Sequence, residues 1–150
     1  MVTIRVYGIY INDKKQILVS DELIKGNLYT KFPGGGLELG EGTRDCLKRE
    51  FKEEMSADII VKEHLYTTDF YLESAFATGV QVMSIYYAID FIQPVLIKVN
   101  NVSPTMEGFL QDNLKAVEKH RLIEMGNFEE SIFRLPIDKL IVKIIKEKYL

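Results

Sequence analysis

Pro33-Gly34-Gly35-Gly36 is the stretch that leaves this chain least freedom in how it folds. A residue with fixed φ, succeeded by three without a Cβ, is expected to stand outside every regular element. The residues after it have strong helical periodicity. Thr43 is a candidate N-cap for a helix running to about Ser56, and Asp45 in its first turn suits the dipole. Leu47, Phe51 and Met55 recur every four residues and predict the buried stripe, with Lys48 and Lys52 on the wet side. Glu50, Glu53 and Glu54, preceded by Arg49, stand at positions i, i+3 and i+4, within an arc of roughly 100°. Like charges at this spacing repel by a few tenths of a kcal/mol per pair. A hard divalent cation with oxygen ligands is the compensation that fits best.

The rest of the composition narrows the classes. A chain of 150 residues suits one domain, 1–150, able to bury about two-thirds of its unfolded surface. Its 47% apolar content argues against disorder. The net charge of −3, with dispersed positive residues, argues against a large nucleic-acid surface. Cys46 is the one cysteine, so no intramolecular disulfide forms, which suits a reducing cytoplasm. The N-terminus has no secretory signal pattern. The apolar run Ile85 to Ile92 is broken by Asp90 and is too short to span a bilayer. A soluble cytoplasmic protein is expected.

Along the chain, Val2 to Ile11 and Gln16 to Ser20 read as strands paired in a hairpin through the polar turn Asn12 to Lys15. Asp21 to Lys31 reads as irregular, with a turn signal at Gly26-Asn27. Ala57 to Lys62 and His64 to Leu72 read as strands, Val80 to Ile92 as a long central strand, and Val95 to Asn100 as another. Pro104 to Arg121 is ambiguous, its composition allowing a helix that Gly108 weakens. Glu130 to Leu135 reads as a last strand. Pro136 opens a closing helix with Ile137, Leu140, Ile141, Ile144 and Ile145 on its inner face.

Gly35, five residues, Glu41, seven residues, then Arg49-Glu50-Phe51-Lys52-Glu53-Glu54 closely resembles the Nudix box, G-x5-E-x7-R-E-U-x-E-E-x-G-U, where U is a bulky aliphatic. Phe32 to Glu41 resembles the family's usual approach to the box, and Phe133 to Leu140 its approach to the last helix. Two positions depart: Ser56 replaces the box glycine and Ala57 the next aliphatic. That glycine ends the helix, commonly in a left-handed conformation, where serine costs roughly 1 kcal/mol.

The resemblance implies an α+β fold, the Nudix α/β/α sandwich with a mixed, curved sheet between helices. It implies that Glu50, Glu53 and Glu54 hold Mg²⁺ (or Mn²⁺), with Arg49 and Glu41 orienting them. Gly34, Gly35 and Gly36 let the backbone approach substrate and metal, a carbonyl there completing the shell. Glu53 is the first candidate for general base, with Glu107, Glu118, Glu124, Glu129 and Glu130 downstream as others. The implied reaction is hydrolysis of the diphosphate linkage in a nucleoside diphosphate joined to another moiety, water attacking phosphorus. The proline of ADP-ribose enzymes is missing, where the chain reads Tyr71-Leu72-Glu73-Ser74. The Ser-Gln-Pro-Trp-Pro-Phe-Pro pattern of NADH enzymes is also missing, so the nucleotide stays open. The rival reading is a non-catalytic Nudix module that binds a nucleotide or sugar-nucleotide, though such modules usually lose box acids and this chain keeps them. A homodimer is the default assembly.

Other residues take plainer readings. Cys46 beside Leu47 reads as a small core filler. His64 and His120 read as structural or surface residues. Tyr66, Phe70, Tyr71, Tyr86, Tyr87 and Phe91 read mostly as strand core, with room for one to stack on a base. Lys115, Lys119 and Arg121 read as a wet helix or loop face.

Overall fold

In the computed structural model, residues 1–112 and 118–150 are described. The chain forms two compact units, Met1–Tyr10 with Pro33–Leu96 and Ile11–Phe32 with Ile97–Leu150. Lys115 lies outside the described residues.

The first unit holds a four-stranded mixed sheet. Its strands are β1 (Val2–Ile9), β4 (Gly34–Gly36), β5 (Ile59–Thr67) and β6 (Gln81–Phe91), in the order β4-β1-β6-β5. β1 and β6 are parallel, with Val6 opposite Ile85 and Tyr7 opposite Tyr86, and the other two pairings are antiparallel. The long aromatic strand is interior, as its continuous apolar run predicts. The helix α1 (Thr43–Met55) lies over this sheet: a Cβ on Gly8 would stand 2.9 Å from the Phe51 ring. Leu47 and Phe51 are fully buried, Met55 is half-buried, and Lys48 and Lys52 face water. Cys46 fills core beside Leu47.

Several expectations change here. The three glycines do form a strand, the edge strand β4, with Arg5 opposite Gly36 and Tyr7 opposite Gly34. Only glycine fits that closely, since a Cβ on Gly34 would fall on the Val6 carbonyl. The helix N-cap is Gly42, not Thr43; the Thr43 hydroxyl instead bonds Tyr87 Oη at 2.8 Å. The two strands expected between Ala57 and Leu72 are one strand, β5, bent by register shifts between Val61 and His64 and between His64 and Tyr66.

The second unit is built on an antiparallel sheet of β2 (Gln16–Ile24), β3 (Asn27–Lys31) and β7 (Glu118–Glu124), in the order β3-β2-β7. It also carries the short helix α2 (Met106–Asp112) and the closing helix α3 (Pro136–Tyr149). Of the predicted inner face of α3, Ile137, Ile141 and Ile145 are buried and Leu140 and Ile144 half-buried, while Asp138 and Val142 are buried as well. Phe32, Phe128 and Phe133 pack ring against ring, Phe32 and Phe133 stacked at 4.9 Å.

The hairpin predicted between the first two strands is absent. Its tip exists: Asn12 Oδ1 accepts from the Lys14 and Gln16 amides, and Lys15 takes φ 57°. The ladder stops at the single bridge Ile11 to Ile17. A strand has two edges, and β1 uses both on β4 and β6 while β2 uses both on β3 and β7. The real hairpin is β2–β3, across the segment expected to be irregular. Its two-residue turn has Lys25 at φ 48° and Gly26 at φ 80°, the primed geometry that matches strand twist. Val95 to Asn100 is not a strand; Val99 alone bridges to Leu122. Glu130 to Leu135 is not one either. Glu130–Ile132 is a 3₁₀ turn that delivers Phe133 to the core. The last strand, β7, comes from the end of the ambiguous Pro104 to Arg121 segment. Among the described residues no helix is long and apolar enough to cross a membrane.

Candidate active site

The residues of the box meet at one end of α1, beside β4 in the first unit. Arg49 is the hub. Its Nε donates to Glu41 Oε2 at 3.0 Å and its Nη2 to Glu41 Oε1 at 2.7 Å, a two-pronged pair whose planar geometry only arginine supplies. Nη1 donates to Glu50 Oε1 at 2.9 Å and to Glu53 Oε2 at 3.2 Å, and stands 3.6 Å from Glu38 Oε1. Nη2 also donates to the Gly36 carbonyl at 3.0 Å. One guanidinium therefore ties the loop, the edge strand and the helix together.

The carboxylates differ in setting. Glu50 is the most enclosed of the helix acids, its side chain 14% exposed against 59% for Glu53. It lies flat on Gly35, where a Cβ would coincide with its carboxylate. Glu54, on the same turn as Glu53, is exposed. Glu41 accepts the Glu38 amide at 2.9 Å as well as both Arg49 prongs. The Arg49 guanidinium first, and the Glu38 amide second, lower its pKa from the ordinary 4.5 to about 2. Because the folded value is depressed, what the pair adds to stability is complete above about 4.5 and is lost as pH falls through about 2. The same contacts raise the Arg49 pKa. Cys46 is inert here: burial, with Glu41 beside it, pushes its thiol up to about 12. The Gly36 carbonyl accepts from both Arg49 and Cys46, so it is already engaged within the protein.

The first unit thus brings together Glu41, Arg49, Glu50, Glu53 and the Gly34 to Gly36 strand, with Glu54 on the next step of the helix. The downstream acids belong to the second unit. There Glu107 accepts from Gln111, Glu124 from Asn101, and Glu130 faces Lys143 at 3.8 Å. Glu129 precedes the 3₁₀ turn, and Glu118 opens β7 with His120 Nε2 3.0 Å from its Oε1.

Arg121, expected on a wet face, is buried on β7. It donates to Asp21 Oδ2 at 2.7 Å, to Asp21 Oδ1 at 3.2 Å and to the Asn100 carbonyl at 2.7 Å. Lys119 is half-buried and donates to the Phe109 carbonyl.

The NUDIX domain family matches residues 1–104. The chain belongs to the Nudix family. No curated protein matches it in sequence, but solved structures match the fold over nearly its whole length. The Escherichia coli protein ORF135 superimposes with a TM-score of 0.70 at 16% identity, over 97% of this chain and 89% of that one. A MutT protein, described for the fish pathogen Aliivibrio salmonicida and for Vibrio cholerae, gives 0.59 at 18% identity, over 98% and 99%. A structure named UDP-X diphosphatase gives 0.65 at 13% identity, over 99% of this chain and 63% of that one. The fold is the Nudix fold, of the α+β class expected. Membership makes this Nudix chain a pyrophosphohydrolase.

Proposed function

We propose that this Nudix protein hydrolyses the diphosphate linkage of a nucleoside diphosphate joined to another moiety, with Mg²⁺ or Mn²⁺ held by Glu50, Glu53 and Glu54. The observation that carries the reading is a charge deficit. Arg49 faces Glu38, Glu41, Glu50 and Glu53 at once, and Glu54 comes next on the same turn. One positive charge among five carboxylates suits a hard cation, and the all-oxygen donor set suits Mg²⁺ or Mn²⁺. The Gly35 cradle adds to the fit, since it admits the Glu50 carboxylate against bare backbone.

Such an ion, when bound, supplies charge neutralisation at the diphosphate oxygens and a more acidic water. The chain's own residues do the rest. Arg49 and Glu41 set the position of Glu50 and hold the loop against the helix. Glu53, the most exposed helix acid on the Arg49 fork, meets the ion through water and takes the proton of the attacking water; its hydrogen bond from Nη1 fixes one of its oxygens. One neighbouring fold is named UDP-X diphosphatase, which supports a diphosphate linkage and selects no one nucleotide.

A nucleotide panel with Mg²⁺ and with Mn²⁺, read as released phosphate or nucleoside monophosphate, tests this. Glu54→Gln should lose at least about a hundredfold in rate, as is typical for one electrostatic stabiliser, and Glu53→Gln should lose rate with metal affinity less affected. Equal turnover by wild type and Glu54→Gln would remove the reading. Binding of a nucleotide without product would favour the non-catalytic module.

A further inference from the structure

Arg5 lies on β1, a strand paired on both sides, and stands outside the box pattern. Side chains along a strand alternate between the sheet faces. Val6 is opposite Gly35, so both share the face on which the Glu50 carboxylate lies. Arg5 is opposite Gly36 and therefore takes the other face, where its Nη1 stands 3.7 Å from the place of a Gly36 Cβ. The Gly36 carbonyl meanwhile accepts from Arg49 at 3.0 Å. The glycine strand thus has Glu50 on one face and Arg5 on the other, with a single backbone between them.

The row that carries Arg5 is otherwise small. Its neighbours are Gly36 on β4 and the buried Ser84 on β6. The next row is bulky: Tyr7, Tyr86 and Tyr66 follow one another across β1, β6 and β5, and the Tyr7 and Tyr86 rings stack at 5.1 Å. Arg5 leans on this wall. Its Nε donates to Tyr7 Oη at 2.8 Å, and its guanidinium carbon lies 5.7 Å from the Tyr7 ring centre. Nε of Arg49 goes to a Glu41 oxygen and that of Arg121 to an Asp21 oxygen. Nε of Arg5 goes instead to a neutral hydroxyl, a bond that sets the guanidinium plane and cancels none of its charge. A half-buried guanidinium held in this way over bare backbone suits an anion that presents two oxygens.

We infer that Arg5 binds a phosphate of the substrate, the one next to the phosphate met by an ion at Glu50. β4 is the edge strand, so consecutive phosphates pass its outer edge, one on the Glu50 face and the next on the Arg5 face. Arg5 then neutralises oxygens that the ion does not reach and holds the substrate without activating water. Its contribution belongs to binding, while that of Glu54 belongs to rate. The identity of the anion rests on the proposed hydrolysis of a diphosphate; the placement of Arg5 does not.

Methylenediphosphonate, a diphosphate analogue whose bridging carbon resists hydrolysis, separates binding from turnover. With Mg²⁺ present, calorimetry should show it binding the wild-type protein, and binding Arg5→Met at least about tenfold more weakly, as expected for a lost charge-assisted hydrogen bond. Arg5→Lys keeps the charge and loses the fork, so it should fall between the two. Mn²⁺ affinity without the analogue, read by electron paramagnetic resonance, should be the same in all three proteins. On a nucleotide that the protein cleaves, Arg5→Met should raise KM by about tenfold or more and leave kcat nearly unchanged. No analogue binding by wild type, equal binding by wild type and Arg5→Met, or a loss confined to kcat would each overturn the proposal. Should Arg5→Met fail to fold, Arg5→Lys decides, and analogue binding equal to wild type counts against the proposal. Analogue binding that depends on Arg5, in a protein that cleaves no nucleotide, would remove the hydrolase reading and leave this one standing. Cleavage with a KM indifferent to Arg5 would do the reverse.

Discussion

The box of the first unit and the Asp21–Arg121 pair of the second both place an arginine among carboxylates, and they balance charge in opposite ways. Arg121 serves one acid. Both Asp21 oxygens are taken, Thr30 Oγ1 donates to one of them at 2.7 Å, and Arg121 also donates to the Asn100 and Val102 carbonyls and to Thr30 Oγ1. The two side chains are only 6% and 5% exposed. Arg49 serves four acids and remains open to solvent. The closed cluster has nothing left to bind, whereas the open one is the cluster proposed to take a cation. Enclosure and one-to-one pairing mark a cluster built for stability; a shared guanidinium at a partly exposed edge marks one built for a ligand.

The sharpest way to break that contrast is to remove the arginine of the closed cluster. Arg121→Met leaves Asp21 buried and uncompensated, which should cost about 3–5 kcal/mol. Read as thermal unfolding, the loss should be on the order of 10 °C for a chain this long. Asp21→Leu combined with Arg121→Met should recover most of it, because a buried pair replaced by apolar groups is often neutral. A single variant that melts with wild type would mean the pair is not the structural clamp its geometry describes.

The open cluster should respond the other way. Glu54→Gln, which loses about a hundredfold in rate, should keep its melting temperature within about 2 °C, as for most surface changes. If it unfolds instead, Glu54 belongs with the closed kind.

The next effect is smaller and tests the cradle. Gly35→Ala puts a methyl where the Glu50 carboxylate lies. The clash is with the end of a flexible side chain, so the fold survives at a cost near the low end of about 1–3 kcal/mol. Displacing Glu50 from Arg49 and from its place in the site should cost at least about tenfold in turnover. Full activity in Gly35→Ala would show that the acid is free to work elsewhere.

The same contrast explains what the sequence made legible. Everything in the box lies between Gly35 and Glu54, so helical spacing and the family pattern expose it directly. Arg49 reaches Glu41 across eight positions of chain. Arg121 and Asp21 are separated by one hundred, and no local pattern joins a charge in an apparently wet run to an acid in an apparently irregular one. The misplaced hairpin has the same origin. Asn12 to Lys15 carries correct turn chemistry, but strand partners are chosen by whole sheets, and β1 found β6 some eighty residues away. Glu130 to Leu135 looked like a strand because Ile132, Phe133 and Leu135 are apolar. A 3₁₀ turn with hydrogen bonds from Ile132 and Phe133 back to Glu129 and Glu130 buries Phe133 without any ladder.

The smallest effect lies at the end of α1, where the chain departs from the box. Ser56 takes φ 52° and ψ 34°, the left-handed cap, and its amide and that of Ala57 return to Lys52 and Phe51. The capping bonds of the family's glycine are therefore kept without the glycine, at a strain of roughly 1 kcal/mol. Ser56→Gly should relieve it and raise the melting temperature by about 2–4 °C, partly offset by the greater freedom of glycine in the unfolded chain. Because the cap comes directly after Glu53 and Glu54, phosphate release reports whether its strain reaches the acids. Unchanged turnover with a higher melting temperature would place the cap with the closed, structural cluster. A changed rate would mean that the left-handed serine helps aim the last turn of the helix, and with it the open one.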